Sequence, residues 1–203
     1  MKETSIMVFG DSITYGEVDT EYGGWVNRLR LYLDNEEKND FNTFNLGISG
    51  EISEETLIRF ESECSVRYDK EENTIIIFAI GINDAQDVNG KYRVSIDDFE
   101  NNIKKLVSKA KKFTDNILFI GLTKVDESKV VPWPGNTSKS FFNEKIIKFD
   151  NLLEKTCDDE NVLYLKIYNL LSLEELGDGL HPNNDGHQKI CDVVLNKIKD
   201  LIK

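Results

Sequence analysis

Ser12, Asp178 and His181 are the residues whose types and spacing could do chemistry together. A serine hydroxyl becomes a nucleophile only when a base can take its proton, and the base works best when a third group fixes its ring. Asp178-Gly179-Leu180-His181-Pro182 supplies a carboxylate three residues before a histidine, so base and orienting group come from one short loop. Gly10-Asp11-Ser12 directly follows a short apolar run, Ser5 to Phe9, that reads as a first strand. A serine on the turn between a strand and a helix points into the crevice where open α/β sheets bind ligands, and the backbone N–H groups beside it favour negative charge. Taken singly, Ser12 is an ordinary helix cap, Asp178 a turn aspartate and His181 a helix-start histidine. Their occurrence in one chain points to acyl transfer. His187, the other histidine, falls inside the last helix and is expected to pack or to face solvent.

Two further strand ends carry candidate donors for a developing oxyanion. Asn45-Leu46-Gly47-Ile48-Ser49-Gly50 closes the second apolar run, and Gly81-Ile82-Asn83-Asp84 follows the third. Together with Gly10-Asp11-Ser12 and the Asp178–Pro182 block, these make four motifs in order along the whole chain, and in this the sequence resembles the SGNH hydrolases, or GDSL esterases and lipases. Isoleucine follows Ser12 where the family's name implies leucine. The resemblance implies a three-layer α/β/α sandwich, flavodoxin-like, with a five-stranded parallel sheet in the order 2-1-3-4-5. It implies Ser12, Asp178 and His181 as the catalytic triad. It also implies an oxyanion hole made by the backbone N–H groups of Ser12 and Gly47 and the side-chain amide of Asn83. Asp11 and Asp84 are expected to be structural, bonding turn N–H groups.

The elements that must position these groups are legible as short apolar runs alternating with helical periodicity, the pattern of βαβ units in a parallel sheet. Strands are expected over Ser5–Phe9, Phe41–Leu46, Thr74–Ile80, Ile117–Leu122 and Val162–Lys166. Apolar stripes mark helices around Trp25–Leu33, Ser95–Phe113, Phe142–Leu153 and Ile190–Leu201, with Ser95 and Asp98 resembling a capping box. The longest irregular segment, Thr123 to Lys139, follows the fourth strand on the catalytic edge. Trp133 within it is expected either to wall the substrate pocket or to pack on its own loop, and Tyr15 to flank the same cleft.

At 203 residues the chain suits one domain with a full core. A net charge of −12, with no clustered lysines and arginines, argues against nucleic acid and against docking to an anionic membrane. No signal-peptide pattern and no run of membrane-spanning length is present. Cys64, Cys157 and Cys191 are scattered, without a C-x-x-C pair, and read as reduced core residues, which with the absent leader implies a cytoplasmic location. Neither metal-ligand clusters nor phosphate-binding glycine motifs occur, so no cofactor is expected. The sequence-level reading is a serine esterase on a small-molecule ester, short acyl groups favoured. Acetyl groups on sugars, longer chains as in lysophospholipids or thioesters, and a non-catalytic ligand-binding module on the same fold are the alternatives; oligomeric state is left open.

Overall fold

The computed structural model describes residues 3–35 and 40–202. The chain runs β1 (Thr4–Gly10), α1 (Ser12–Tyr15), α2 (Trp25–Asp34), β2 (Phe41–Gly47), α3 (Ser53–Ser65) and β3 (Asn73–Ala79). It continues through β4 (Asp87–Val88), β5 (Lys91–Tyr92), α4 (Ile96–Ala110), β6 (Ile117–Ile120) and α5 (Glu127–Val130). It ends with β7 (Lys139–Ser140), α6 (Asn143–Asp159), β8 (Leu163–Leu165), a 3₁₀ turn at Leu173–Glu175 and α7 (Asn184–Ile198).

Five strands pair in parallel in the order β2-β1-β3-β6-β8, which is 2-1-3-4-5 when only this sheet is counted. The strands read as unbroken apolar runs because both faces are covered. Their alternate residues divide the core in two. Met7, Phe9, Ile76, Phe78, Ile117 and Phe119 face α3, α4 and α6, while Ile6, Val8, Ile75, Ile77, Leu118 and Ile120 face α2 and α7. On the first face Phe9, Phe78 and Phe119 stack across three neighbouring strands, with ring centroids 5.7 and 4.8 Å apart. Full burial of rings of this size stabilises by roughly 2–3 kcal/mol each.

Helix α4 shows how sequence sets this packing. Ser95 caps it by accepting from Asp98 N–H, Asp97 and Asp98 lie in its positive first turn, and Phe99, Ile103, Leu106, Val107 and Ala110 form the buried stripe. The loop before α2 is fixed instead by a buried ion pair. Arg28 donates to both carboxylate oxygens of Asp19, at 2.8 and 3.0 Å, and Asp19 also accepts from the backbones of Glu21, Tyr22 and Gly24. Burial alone would raise that carboxyl, but the guanidinium and the three N–H groups outweigh it and hold it well below the usual range.

A second, three-stranded antiparallel sheet, β5-β4-β7, lies outside the sequence-based expectation. Each of its strands has two residues, too few for periodicity to register. The Thr123–Lys139 segment is likewise less irregular than its composition implies: it contains the single turn α5, capped by Asp126, and ends in β7.

Candidate active site

Gly10, Gly47 and Ala79 stand in register at the C-terminal ends of β1, β2 and β3, a row of small residues that lets the following turns fold down onto the sheet edge. A side chain at Gly10 would meet Thr14 Oγ1 at 2.2 Å, so the first turn of α1 fits only because that position is bare. Asp11 caps the turn by accepting from Ile13 N–H at 3.0 Å. Ser12 is therefore the first helical residue, and its hydroxyl projects into a cleft while the residue itself is 7% exposed.

The base arrives from the other end of the chain. Ser12 Oγ lies 2.8 Å from His181 Nε2, and His181 Nδ1 lies 2.6 Å from Asp178 Oδ2. The other oxygen of Asp178 accepts from the backbone N–H groups of Leu180 and His181, at 2.9 and 2.8 Å. Burial pushes the Asp178 carboxyl up, but the imidazole and these two N–H groups more than reverse that and bring it down to about 2. An ionised Asp178 holds the proton of the neutral ring on Nδ1, leaving Nε2 as an acceptor toward Ser12. Gly179 makes the loop possible with φ +95°, and its carbonyl accepts from Asp126 N–H at 2.8 Å, so α5 braces the loop that carries the base.

Asn83 is 5% exposed and lines the same cleft. One amide hydrogen goes to Glu51 O at 3.1 Å, which orients the group and leaves the second for a ligand. Asp84 accepts from the backbone N–H of Ser53 at 3.1 Å and from its hydroxyl. Both Asp11 and Asp84 thus bond turn and helix-start groups. Burial raises their carboxyls to about 7 and about 6 respectively, against the lowering effect of those hydrogen bonds.

Two expected site residues stand elsewhere. Gly47 remains in the β2 ladder, its N–H donates to Asn45 Oδ1 at 3.0 Å, and it does not line the cleft. Its bare Cα serves packing: a Cβ there would lie 2.3 Å from Tyr15 N. Gly50, three residues on, is the glycine of this block that lines the cleft. It has φ +79° and open space beside it, and its N–H has no partner among the described residues. The sequence offers both glycines of the Asn45–Gly50 block, and only the observed end of β2 at Gly47 singles out the second as lying beyond the strand. Tyr15 also lies outside the cleft lining and is 58% exposed, because α1 is one turn closed by Gly16 and carries Tyr15 over Gly47, away from His181.

Trp133 does line the cleft, edge-on to the His181 ring at 6.1 Å and packed against Phe141. His187 is buried, with Nδ1 accepting from Trp25 N–H at 3.2 Å and Nε2 donating to Glu17 O at 3.1 Å. Burial lowers its basicity, so it packs as a neutral ring. The three cysteines are buried free thiols pushed up to about 12 by burial, unsuited to nucleophilic work. Among the described residues no group of three His, Cys, Asp or Glu side chains could hold a metal ion, and no helix is long and apolar enough to cross a membrane.

A strand-end serine in line with a histidine and a carboxylate, on a 2-1-3-4-5 parallel sheet, defines a class. Residues 8–189 match the model of the GDSL-like lipase/acylhydrolase family, and the chain belongs to that family of ester-bond hydrolases. Among characterised relatives it is similar to a multidomain esterase of Ruminococcus flavefaciens, with 26% identity over 238 residues; the match takes in 98% of this chain but 29% of that much longer protein. Among solved structures it resembles the lipase/acylhydrolase of Enterococcus faecalis, with TM-score 0.78, 18% identity and 100% and 98% of the two chains covered. It also resembles Axe2, an acetylxylan esterase of Geobacillus stearothermophilus, with TM-score 0.76, 18% identity and coverage of 100% and 97%. At those identities the structural likeness is one of fold.

Proposed function

We propose that this one-domain chain is a serine esterase that removes short acyl groups, acetyl foremost, from hydroxyl-rich alcohols. The observation that carries the reading is the unbroken line from Ser12 Oγ through the His181 ring to Asp178, with contacts of 2.8 and 2.6 Å. His181 Nε2 accepts the Ser12 proton as Oγ attacks the carbonyl carbon. The resulting oxyanion is met by the N–H groups of Ser12 and Gly50 and the free amide hydrogen of Asn83. His181 then returns its proton to the departing alcohol oxygen. Water, deprotonated by the same ring, cleaves the acyl-serine, releasing the carboxylic acid and restoring Ser12.

The cleft supports the short-acyl reading. Its volume is 340 Å³; Trp133, Phe141 and Leu180 give a small apolar wall, and Glu17, Ser49, Gln86 and Asn136 offer polar partners elsewhere. That is room for an acetyl group and one polar ring. The acetylxylan esterase activity of a structural neighbour agrees with this choice. Three buried free thiols are in keeping with a reducing, cytoplasmic setting.

A fluorophosphonate probe tests the reading directly. It labels wild-type protein at Ser12 and leaves Ser12→Ala unlabelled, while hydrolysis of 4-nitrophenyl acetate falls about a million-fold. Labelling that persists in Ser12→Ala, or activity that survives it, removes Ser12 from the role. A rate that rises steadily from acetate to decanoate esters would transfer the assignment to long-chain substrates.

A further inference from the structure

A second cavity, of 610 Å³, opens beside the catalytic cleft and shares Ser49, Gly50, Arg93 and Lys139 with it. The two cations come from the small sheet: Lys139 begins β7, and Arg93 follows β5, with its N–H bonded to Gln86 O at 2.8 Å. The protein as a whole carries a charge of −12, whereas the groove sets Arg59, Arg93 and Lys139 against Glu51 and Glu55, a local excess of one positive charge.

Their donors are largely unspent. Arg93 Nη1 donates to Gly50 O at 2.9 Å, which fixes the guanidinium, and Nη2 stands 3.9 Å from Glu55 Oε2, beyond hydrogen-bond reach. A guanidinium has five N–H donors, and most of these are left. No carboxylate lies within 4 Å of Lys139 Nζ among the described residues, whereas Lys104, Lys109, Lys145, Lys166 and Lys189 all sit in close ion pairs. Of the acidic groups here, only Glu51 is held by a cation within hydrogen-bond reach; Glu55 and Glu17 bond neutral donors. Glu51 is held by the Arg59 fork, and Glu55 accepts from Ile52 N–H at the start of α3. Glu17, at the Ser12 end of the cleft, accepts from Ser49 Oγ at 2.8 Å. Ile48 and Ile58, the latter 76% exposed, add an apolar flank.

We propose that the groove lined by Arg93 and Lys139 binds a carboxylate carried by the alcohol part of the substrate, so that the enzyme prefers acyl esters of acidic sugars such as hexuronic acids. The proposal rests on the esterase reading and narrows its substrate. A planar guanidinium suits a carboxylate through paired N–H donors, an ammonium adds charge, and the isoleucines accommodate the carbon skeleton. Because Arg93 is anchored on the carbonyl of Gly50, the acidic group docks against the turn that also offers its N–H to the oxyanion. Binding energy from a remote substituent is thereby delivered next to the reacting bond.

The test pairs monoacetylated methyl glucuronides with monoacetylated methyl glucosides, isomer by isomer. Wild-type kcat/KM is expected to favour the acidic member about tenfold, the scale of a charge-assisted contact, and 0.5 M NaCl to erode that preference. Lys139→Gln and Arg93→Gln should each bring the ratio toward one. General damage to the site would lower both rates together and leave the ratio intact. A wild-type ratio of one or less, or a ratio untouched in both variants, overturns the proposal. If no ester is cleaved and no probe labels Ser12, the esterase reading fails instead. Titration calorimetry with methyl glucuronide then decides for the groove alone: saturable binding lost in Lys139→Gln keeps it, and no binding dismisses it.

Discussion

Replacing Asp178 by asparagine tests the wiring of the site more sharply than removing the nucleophile. In the native loop one carboxylate oxygen accepts two backbone N–H groups while the other faces His181 Nδ1 at 2.6 Å. Asparagine can keep the first arrangement, since its carbonyl oxygen accepts the same two N–H groups. Its NH₂ then points at Nδ1 and can only donate. The ring responds by placing its proton on Nε2, aimed at Ser12 Oγ 2.8 Å away, where an acceptor is required. Geometry survives and the tautomer is wrong. The same change in a serine protease triad costs about 10,000-fold in kcat, which at 1.36 kcal/mol per factor of ten is about 5.4 kcal/mol of barrier. Asp178→Ala leaves the ring free to adopt either tautomer, with water in place of the carboxylate, so it should be the milder substitution. The assay is kcat/KM on 4-nitrophenyl acetate for the wild type and both variants, with fluorophosphonate labelling rates alongside. An asparagine variant within tenfold of wild type, or one that outperforms alanine, would refute the tautomer argument.

Other outcomes follow from the same geometry. Asn83→Ala should lower kcat by about 100- to 1,000-fold with little change in KM, because the amide acts on charge that exists only in the transition state; a pure KM effect would make Asn83 a ground-state contact. Gly47→Ala and Gly50→Ala separate the two glycines. A Cβ at Gly47 meets backbone at 2.3 and 2.8 Å and should cost about 1–3 kcal/mol in denaturant unfolding with the cleft untouched, whereas at Gly50 it meets no atom within 4 Å but strains a backbone held at φ +79°, about 1–2 kcal/mol, and shifts the turn that lines the cleft, so activity should fall as well as stability. The reverse pattern would restore the role to Gly47. The Asp11 carboxyl sits at about 7 in the fold against 3.8 as its ordinary value, so the folded state binds the extra proton and loses stability as pH rises from about 4 through 7. His187 acts oppositely: its lowered basicity makes stability full above about 6.5 and lost as pH falls below that. Asp11→Asn keeps the acceptor for Ile13 and removes only the first effect. Its Tm should therefore gain on wild type between pH 5 and 8, and parallel Tm profiles would contradict the burial argument.

Legibility in the sequence tracked the range of the forces involved. The five core strands and the stripes of α4 and α7 were readable because burial on a periodic scaffold leaves a periodic trace. Asp178 and His181 were readable because they meet within one loop, so three residues of sequence contain their whole geometry. Gly47 misled for the opposite reason. Both glycines of its block suit a tight turn, and only the extent of the β1–β2 ladder decides which of them leaves the strand. Helix α3 gave no stripe, since its buried residues are Ser53, Thr56, Phe60 and Cys64 while Ile58 points to solvent. The β4–β5–β7 sheet was silent too: it is held by four paired positions, the farthest being Asp87 with Ser140, a tertiary fact with no local signature.

The contact between Ser12 and His181 spans 169 positions of chain. Each half of the reacting pair is useless until nearly the entire polypeptide between them has found its place. If the two react as proposed, activity reports the closure of this one long-range contact in folding. During refolding, secondary structure and burial of the phenylalanine stack can develop while the serine stays unreactive, and probe labelling should appear only with the final docking of the Asp178–His181 loop. By the same topology, a nick that released the C-terminal segment carrying that loop would silence the enzyme while sparing most of the sheet.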